Sequence, residues 1–308
     1  MLGEKIKLYR ESKNMTQSEV AEILGVKAAT ISKYEAETLE PNIEALKKLA
    51  ELFDVSIDEL LKEDDFDISK INILEILREQ KEMKLKGNLY HNTQIIFAYN
   101  TNHIEGSQLT EDQTRYIFET NTILFEGDTI AKVDDILETA NHFKLVDYML
   151  DVADRKLTEK MTKEFHKILK DGTSDSRVEW FNVGEYKQRA NTIGSGIKTT
   201  SPNNVEKEMS KLMDWYNSLK QITINEIIEF HYRFESIHPF QDGNGRIGRI
   251  IMFKECLKNN IVPFIILDKD KLFYYRGLKE YKNEKGYLVD TCLNAQDQYI
   301  KMIEYYLK

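Results

Sequence analysis

Twelve consecutive residues, His238-Pro239-Phe240-Gln241-Asp242-Gly243-Asn244-Gly245-Arg246-Ile247-Gly248-Arg249, carry most of the groups needed to handle a nucleoside triphosphate. His238 can accept a proton near neutral pH. Asp242 is a hard carboxylate suited to Mg²⁺. Gly243 and Gly245 flank Asn244, so the backbone can turn tightly and aim N–H groups at an anion. The apolar periodicity of residues 247–257 predicts a helix that starts right after these glycines, and its positive N-terminus faces the same anion. Arg246 and Arg249 are three apart and share one face of the first turn. Cations there oppose the helix dipole, and a bound polyphosphate accounts for them. The plainer alternative is a glycine turn between two amphipathic helices, with one surface His and two surface Arg.

The stretch resembles the signature of the Fic family, His-Pro-Phe-x-(Asp/Glu)-Gly-Asn-Gly-Arg-x-x-Arg, at every position. The resemblance covers residues 71–308 and implies a protein AMP-transferase that uses ATP and Mg²⁺. It implies that His238 is the general base toward a Ser, Thr or Tyr hydroxyl, on a target protein or on the chain itself. Asp242 would hold the metal. Gly243, Asn244 and Gly245 would bind the α-phosphate, with the Asn244 amide as an added donor. Arg246 and Arg249 would hold the β- and γ-phosphates. UTP or GTP could fit the same phosphate site. Fic relatives that act as kinases replace the second glycine of Gly-Asn-Gly; both glycines are present here, which favours AMP transfer. Tyr274-Tyr275-x-x-Leu278 resembles the segment that lines the adenine pocket, with Lys282 where the family has Asn and Asn283 one step beyond.

Composition bounds what must position these groups. The 308 residues include only 4 Pro and 14 Gly, which favours a helix-rich chain with short connections. No apolar run is long enough to span a membrane, and the N-terminus lacks a signal-peptide core. Cys256 and Cys292 are the only cysteines, so a reduced, cytoplasmic protein without zinc is expected. His231 lies two turns before His238, but Pro239 breaks that helix, which argues against a shared metal site. The net charge of −9 argues against non-specific nucleic-acid binding by the whole chain. The expected fold class is all-α: a five-helix helix-turn-helix domain over 1–62, a linker over 63–70, and a helical Fic domain over 71–308 with a small β-hairpin flap. Within it, an inhibitory helix over about 89–106 precedes a catalytic core over about 130–285.

Ahead of the catalytic stretch lies Thr101-Asn102-His103-Ile104-Glu105-Gly106. It resembles the inhibitory motif (Ser/Thr)-x-x-x-Glu-(Gly/Asn) of regulated Fic proteins, in the class II arrangement. Thr101 and Glu105 are one helical turn apart. The resemblance implies that Glu105 pairs with Arg249 and removes the guanidinium that would hold the γ-phosphate. It also leaves open a hydrolytic direction, in which Glu105 orients water to release AMP from a modified protein. The plainer alternative is a surface Glu105 with Gly106 as an ordinary helix cap. Further helices are expected over 111–121, 133–152, 158–169, 205–219, 224–237, 271–283 and 287–307, with a polar loop at Gly127-Asp128. Turn and β-branched residues over 183–201 predict the hairpin. The resemblance makes its edge, at Thr192, Ile193, Gly194 and Ile197, the place where a target segment adds as a strand.

At the N-terminus, Thr16 begins a capped helix with Glu19 as capping-box partner, and Gly25-Val26 turns into a second short helix from Lys27. Thr16-Gln17-x-x-x-Ala21-x-x-x-Gly25-Val26 and Ile31-Ser32-x-Tyr34-Glu35 resemble the phage-repressor-like helix-turn-helix family. The resemblance implies DNA contacts through Gln17, Lys27, Thr30, Ser32 and Lys33, made by a homodimer. Ala28 and Ala29 thin the direct reading of bases. Residues 1–62 hold nine Lys and Arg against twelve Asp and Glu, a net of −3. A protein-interaction or dimerisation module is the alternative, and the whole chain then reads alternatively as a repressor with a nucleotide-sensing Fic half.

Overall fold

The computed structural model describes residues 2–13, 15–61, 67–125, 130–193 and 197–307. The chain divides into two units, Met1–Lys70 and Ile71–Lys308. Residues 63–66 of the expected linker, and the loop at Gly127-Asp128, lie outside the described residues. No helix among those described is long and apolar enough to cross a membrane.

In the first unit, α1 (Leu2–Ser12), α2 (Gln17–Leu24), α3 (Ala28–Glu35), α4 (Ile43–Phe53) and α5 (Ile57–Leu61) follow one another with short turns. Thr16 starts α2 because its hydroxyl accepts from the Glu19 amide at 3.2 Å while its own amide donates to the Glu19 carboxylate at 2.7 Å. Each helix is too short to persist alone. Their apolar faces meet in one core built on Ile6, Val20, Leu24, Ile31, Leu49, Phe53 and Leu60.

The second unit contains α6 (Ile73–Met83), α7 (Leu89–Ile104), α8 (Glu111–Thr120), α9 (Val133–Asp151), α10 (Glu159–Leu169), α11 (Pro202–Ser218), α12 (Ile224–Ile237), α13 (Asn244–Lys258), α14 (Lys271–Glu280) and α15 (Gly286–Leu307). Helix α13 is its axis. Every residue from Asn244 to Leu257 is buried, against α6, α7, α9, α10 and α12. A helix covered on all sides needs no apolar stripe, and α13 carries its charges inside. Lys254 Nζ donates to the Glu255 carboxylate at 2.5 Å, and Tyr216 Oη donates to the same carboxylate at 2.9 Å. Buried charges persist when paired in this way.

The β-hairpin flap expected over 183–201 is corrected, and the fold class is all-α without it. Among the described residues, strand pairing is confined to two residue pairs, Thr192 with Lys198 and Ile193 with Ile197, far short of what a ribbon needs to stand as an element. Gly194, Ser195 and Gly196 lie outside the described residues, as do the side chains of Ile193 and Ile197. The flanking chain is held by contacts with the helical body instead. Gly184 N donates to His166 Nδ1 at 3.0 Å, Lys187 N to the Pro239 carbonyl at 2.8 Å, and Asn191 Nδ2 to the Phe240 carbonyl at 3.0 Å. These bonds satisfy the backbone without a ladder.

Thr16→Ala removes the side-chain half of the α2 cap, and we expect the first unit to lose about 1 kcal/mol. Urea unfolding followed by circular dichroism checks this.

Candidate active site

The twelve-residue stretch forms the loop between α12 and α13. Pro239 stops α12, and His238 caps it in the left-handed region, φ 53° and ψ 64°, with its N–H bonded to the Phe234 carbonyl at 2.8 Å. Phe240 turns inward and stacks on His166, ring centres 4.1 Å apart. Asn244 closes the loop. Its Nδ2 donates to the Phe240 carbonyl at 2.9 Å and its Oδ1 accepts from the Phe240 amide at 2.8 Å. Both amide atoms of Asn244 thus bind the Phe240 backbone, which uses one of the two Nδ2 hydrogens. Gly243, at φ 79°, caps the N-terminus of α13 in a conformation strained for other residues.

Arg246 and Asp242 belong to a charged cluster. Arg246 Nη2 meets Asp242 Oδ2 at 3.0 Å, and Arg246 Nη1 pairs with Glu138 of α9. Lys170, which follows α10, lies among three carboxylates: Glu138 at 2.5 Å, Asp175 at 2.6 Å and Asp242 at 2.7 Å. Burial pushes the Asp242 carboxyl up, but Arg246 and Lys170 outweigh it and hold the group well below the usual carboxylate range. Asp242 is therefore ionised, and its side chain is 49% exposed. An exposed, ionised carboxylate fits Mg²⁺ if phosphate oxygens complete the shell. Lys170, Glu138 and Asp175 were missed in the sequence, since nothing in their local patterns links them to a loop 67 to 104 positions away.

Arg249 is 2% exposed and fully engaged. Its Nε donates to Thr101 Oγ1 at 2.7 Å, and its Nη2 donates to the Thr101 carbonyl at 3.0 Å and to Glu105 Oε1 at 2.7 Å. Burial lowers its pKa, but Glu105 and the other partners raise it further, so it stays charged. Glu105 Oε1 lies so close over Gly245 that a methyl group there would overlap it. The carboxylate thus occupies the space directly above the glycine floor of the loop. Tyr274 is enclosed in the core, its hydroxyl 2.6 Å from His231 Nε2. This corrects its reading as an open lining residue. Tyr275 is 42% exposed and donates to the Ile104 carbonyl at 2.8 Å, so it is the member of the pair that a ligand could touch.

His238 sits between Glu235 and Lys187. Its Nδ1 is 3.7 Å from Glu235 Oε2. The Lys187 ammonium donates to Asn191 Oδ1 and Thr199 Oγ1, both at 2.7 Å, and to the Ile237 carbonyl at 3.4 Å. Burial, then Lys187, pull the His238 imidazole down to about 4. His238 is therefore neutral, the form that accepts a proton.

In the first unit, Lys27, Ser32 and Lys33 are exposed and Thr30 is half-buried. Gln17 is less open than expected, since its Nε2 donates to Glu35 Oε2 at 2.9 Å, and Arg10 Nε binds the same carboxylate at 2.6 Å.

Comparison with known proteins matches residues 156–256 to the Fic/DOC family and residues 6–60 to a helix-turn-helix family. Protein adenylyltransferase Fic of Nematostella vectensis is 29% identical over 186 residues, 59% of this chain and 42% of that protein. Its counterpart in Drosophila melanogaster is 29% identical over 184 residues, 59% of this chain and 36% of that protein. The chain thus spans less than half the length of these relatives. Among solved structures, a Fic domain containing signaling protein from Bacteroides thetaiotaomicron superposes with a TM-score of 0.61 at 23% identity, covering 77% of this chain and 96% of that one. A fragment of Fic-1 from C. elegans superposes with a TM-score of 0.57 at 19% identity, covering 98% of this chain and 88% of that one. At these identities the likeness is one of fold.

Because His238 is held at about 4, its NMR signals should stay those of the neutral ring from about pH 8 down to about pH 5, where an ordinary histidine titrates. Lys187→Met removes a neighbouring cation and should move the midpoint upward. A midpoint near the ordinary value in the unmodified protein overturns this.

Proposed function

We propose that this chain is a protein adenylyltransferase that moves AMP from ATP to a Ser, Thr or Tyr hydroxyl of a protein, itself included, and that Glu105 restrains it. The observation that carries this reading is the contact of Glu105 with Arg249, directly over the glycine loop beside a neutral His238. His238 Nε2 takes the proton of the target hydroxyl. The oxygen attacks the α-phosphorus, the bond to the bridging oxygen of the β-phosphate breaks, and pyrophosphate leaves. Backbone N–H groups at the start of α13 face the α-phosphate and stabilise the charge that grows there. Mg²⁺, bound at Asp242, would offset phosphate charge. Arg249 binds the γ-phosphate once Glu105 withdraws. Arg246, tied to Glu138 and Asp242, braces the metal carboxylate as well as contributing positive charge toward the β-phosphate.

A second reading concerns the first unit. The helix-turn-helix match over 6–60 and the exposed Lys27, Ser32 and Lys33 favour DNA binding. The unit's net charge makes this binding modest in affinity and sensitive to salt.

Two measurements test these readings. Unmodified protein, Glu105→Gly and Glu105→Gly/His238→Ala are incubated with Mg²⁺ and ATP labelled at the α- or the γ-phosphate. We expect α-label on protein, raised at least about tenfold by Glu105→Gly and abolished without His238. Label from the γ-position alone means a kinase and overturns the reading; no label from either turns it toward the hydrolytic direction. For DNA, Lys27→Ala/Lys33→Ala should weaken binding and lower the log–log salt slope by about two. Fluorescence anisotropy against a salt series reads it, and an unchanged slope removes these residues from the interface.

A further inference from the structure

We infer that Glu235 is a positioning residue for His238: its carboxylate accepts the Nδ1 proton and so keeps Nε2 as the open acceptor for the target hydroxyl. This rests on the adenylyltransferase reading and adds a group to it. An imidazole serves as a base at one nitrogen only if something fixes the proton on the other. For His238 that partner must lie within reach of Nδ1, which is buried without a well-formed hydrogen bond and faces both the backbone carbonyl and the carboxylate of Glu235. Glu235 is the only carboxylate paired with His238 among the described residues, 3.7 Å from Nδ1. The spacing of three along the end of α12 sets this approach, and the left-handed turn at His238 folds the ring back toward the helix. At 3.7 Å the two groups are not yet hydrogen-bonded in the free protein, and the inference requires that they close when substrate enters.

Other groups facing the pair leave this role to Glu235. Lys187 is a donor, already bound to Asn191, Thr199 and the Ile237 carbonyl. His231 directs Nε2 to Tyr274. Arg249 has no acceptor, and Glu105 is bound to it. Glu235 Oε1 also lacks a hydrogen bond, so its carboxyl is not committed elsewhere. Gly248 is what lets the group lie there, because a Cβ would come within 2.9 Å of Glu235 Oε1 and 2.6 Å of the His231 ring.

Burial, then the Glu105 charge, push the Glu235 carboxyl up to about 8, while Arg249 pulls it down, so the carboxylate that accepts from Nδ1 is favoured once Glu105 is withdrawn. In turnover the hydroxyl proton goes to Nε2, the Nδ1 proton stays in place, and the imidazolium is held against Glu235 until the proton leaves to solvent.

The test uses the full chain carrying Glu105→Gly, with Glu235→Leu or Glu235→Gln added. Leucine removes the acceptor, glutamine keeps the shape, and thermal unfolding checks that both fold. Transfer of α-labelled phosphate is followed as kcat and KM for ATP. Imidazole nitrogen shifts of His238 are read by NMR on isotope-labelled protein. We expect Glu235→Leu to lower kcat about hundredfold with KM within about twofold, Glu235→Gln to lie between, and the Nδ1–H signature of His238 to be lost in the leucine variant. An unchanged kcat, or a lowered kcat with an unchanged nitrogen pattern, overturns the inference. If Glu105→Gly itself transfers no label, it is the adenylyltransferase reading that fails, and the nitrogen pattern alone decides the role of Glu235.

Discussion

The Arg249 guanidinium is a permanent charge in a dry place, and the second unit is arranged to satisfy it. Burying an ion without partners costs on the order of several kcal/mol even after the protein relaxes. Here the partners come from the C-terminal turn of α7: the Thr101 hydroxyl, the Thr101 carbonyl and the Glu105 carboxylate. The helix dipole adds to this, since a cation at a helix C-terminus is favoured. Docking of α7 on α13 and charge balance at the site are therefore one requirement. An anion that replaces Glu105 must bring comparable charge and hydrogen-bond acceptors, which a phosphate does.

Helix α13 concentrates cost as well as function. It carries Arg246 and Arg249 near the N-terminus, where the dipole is already positive, and it is buried from all sides. Three carboxylates from outside the loop, Glu105, Glu138 and Asp175, compensate, together with Asp242. Lys170 then offsets the acidic side. The result is a balanced array in which Asp242 faces two cations through one oxygen and remains half exposed. Under the proposed function, a divalent ion at Asp242 would meet repulsion from Lys170 and Arg246 and would draw its affinity largely from phosphate oxygens that arrive with it.

How much of this could be read from the sequence follows from how local each signal is. The loop was legible because its residue types stand in consecutive positions, and the helices because periodicity and caps such as Thr16 are local. Thr101 and Glu105 were legible as a pair one turn apart. Lys170, Glu138, Asp175 and Lys187 were not, because a buried charge looks like a surface charge in the sequence until the elements packed against it are in place. The clamp that Asn244 makes on the Phe240 backbone was not legible either, because its partner is fixed only when the loop is folded. The 183–201 stretch carried strand-like residues, but its bonds run largely to the loop between α12 and α13 rather than across a ladder, which propensity cannot show.

The restraint on the site is separable from the fold that presents it. Thr101 makes two of the three bonds from α7 to Arg249, and Tyr275 fastens the Ile104 carbonyl. Glu105 contributes one side-chain bond, from a residue 28% exposed, immediately before Gly106 at φ 100°. Its carboxylate can thus rotate off Arg249 without undocking the helix, and Thr101 continues to hold the guanidinium in place. What moves is one negative charge, and with it the volume over Gly245 that the carboxylate had filled. Under the proposed function, blocked and open states would differ by a side-chain rotation, an inexpensive change for a two-state switch, while the arginine stays positioned for whichever anion faces it.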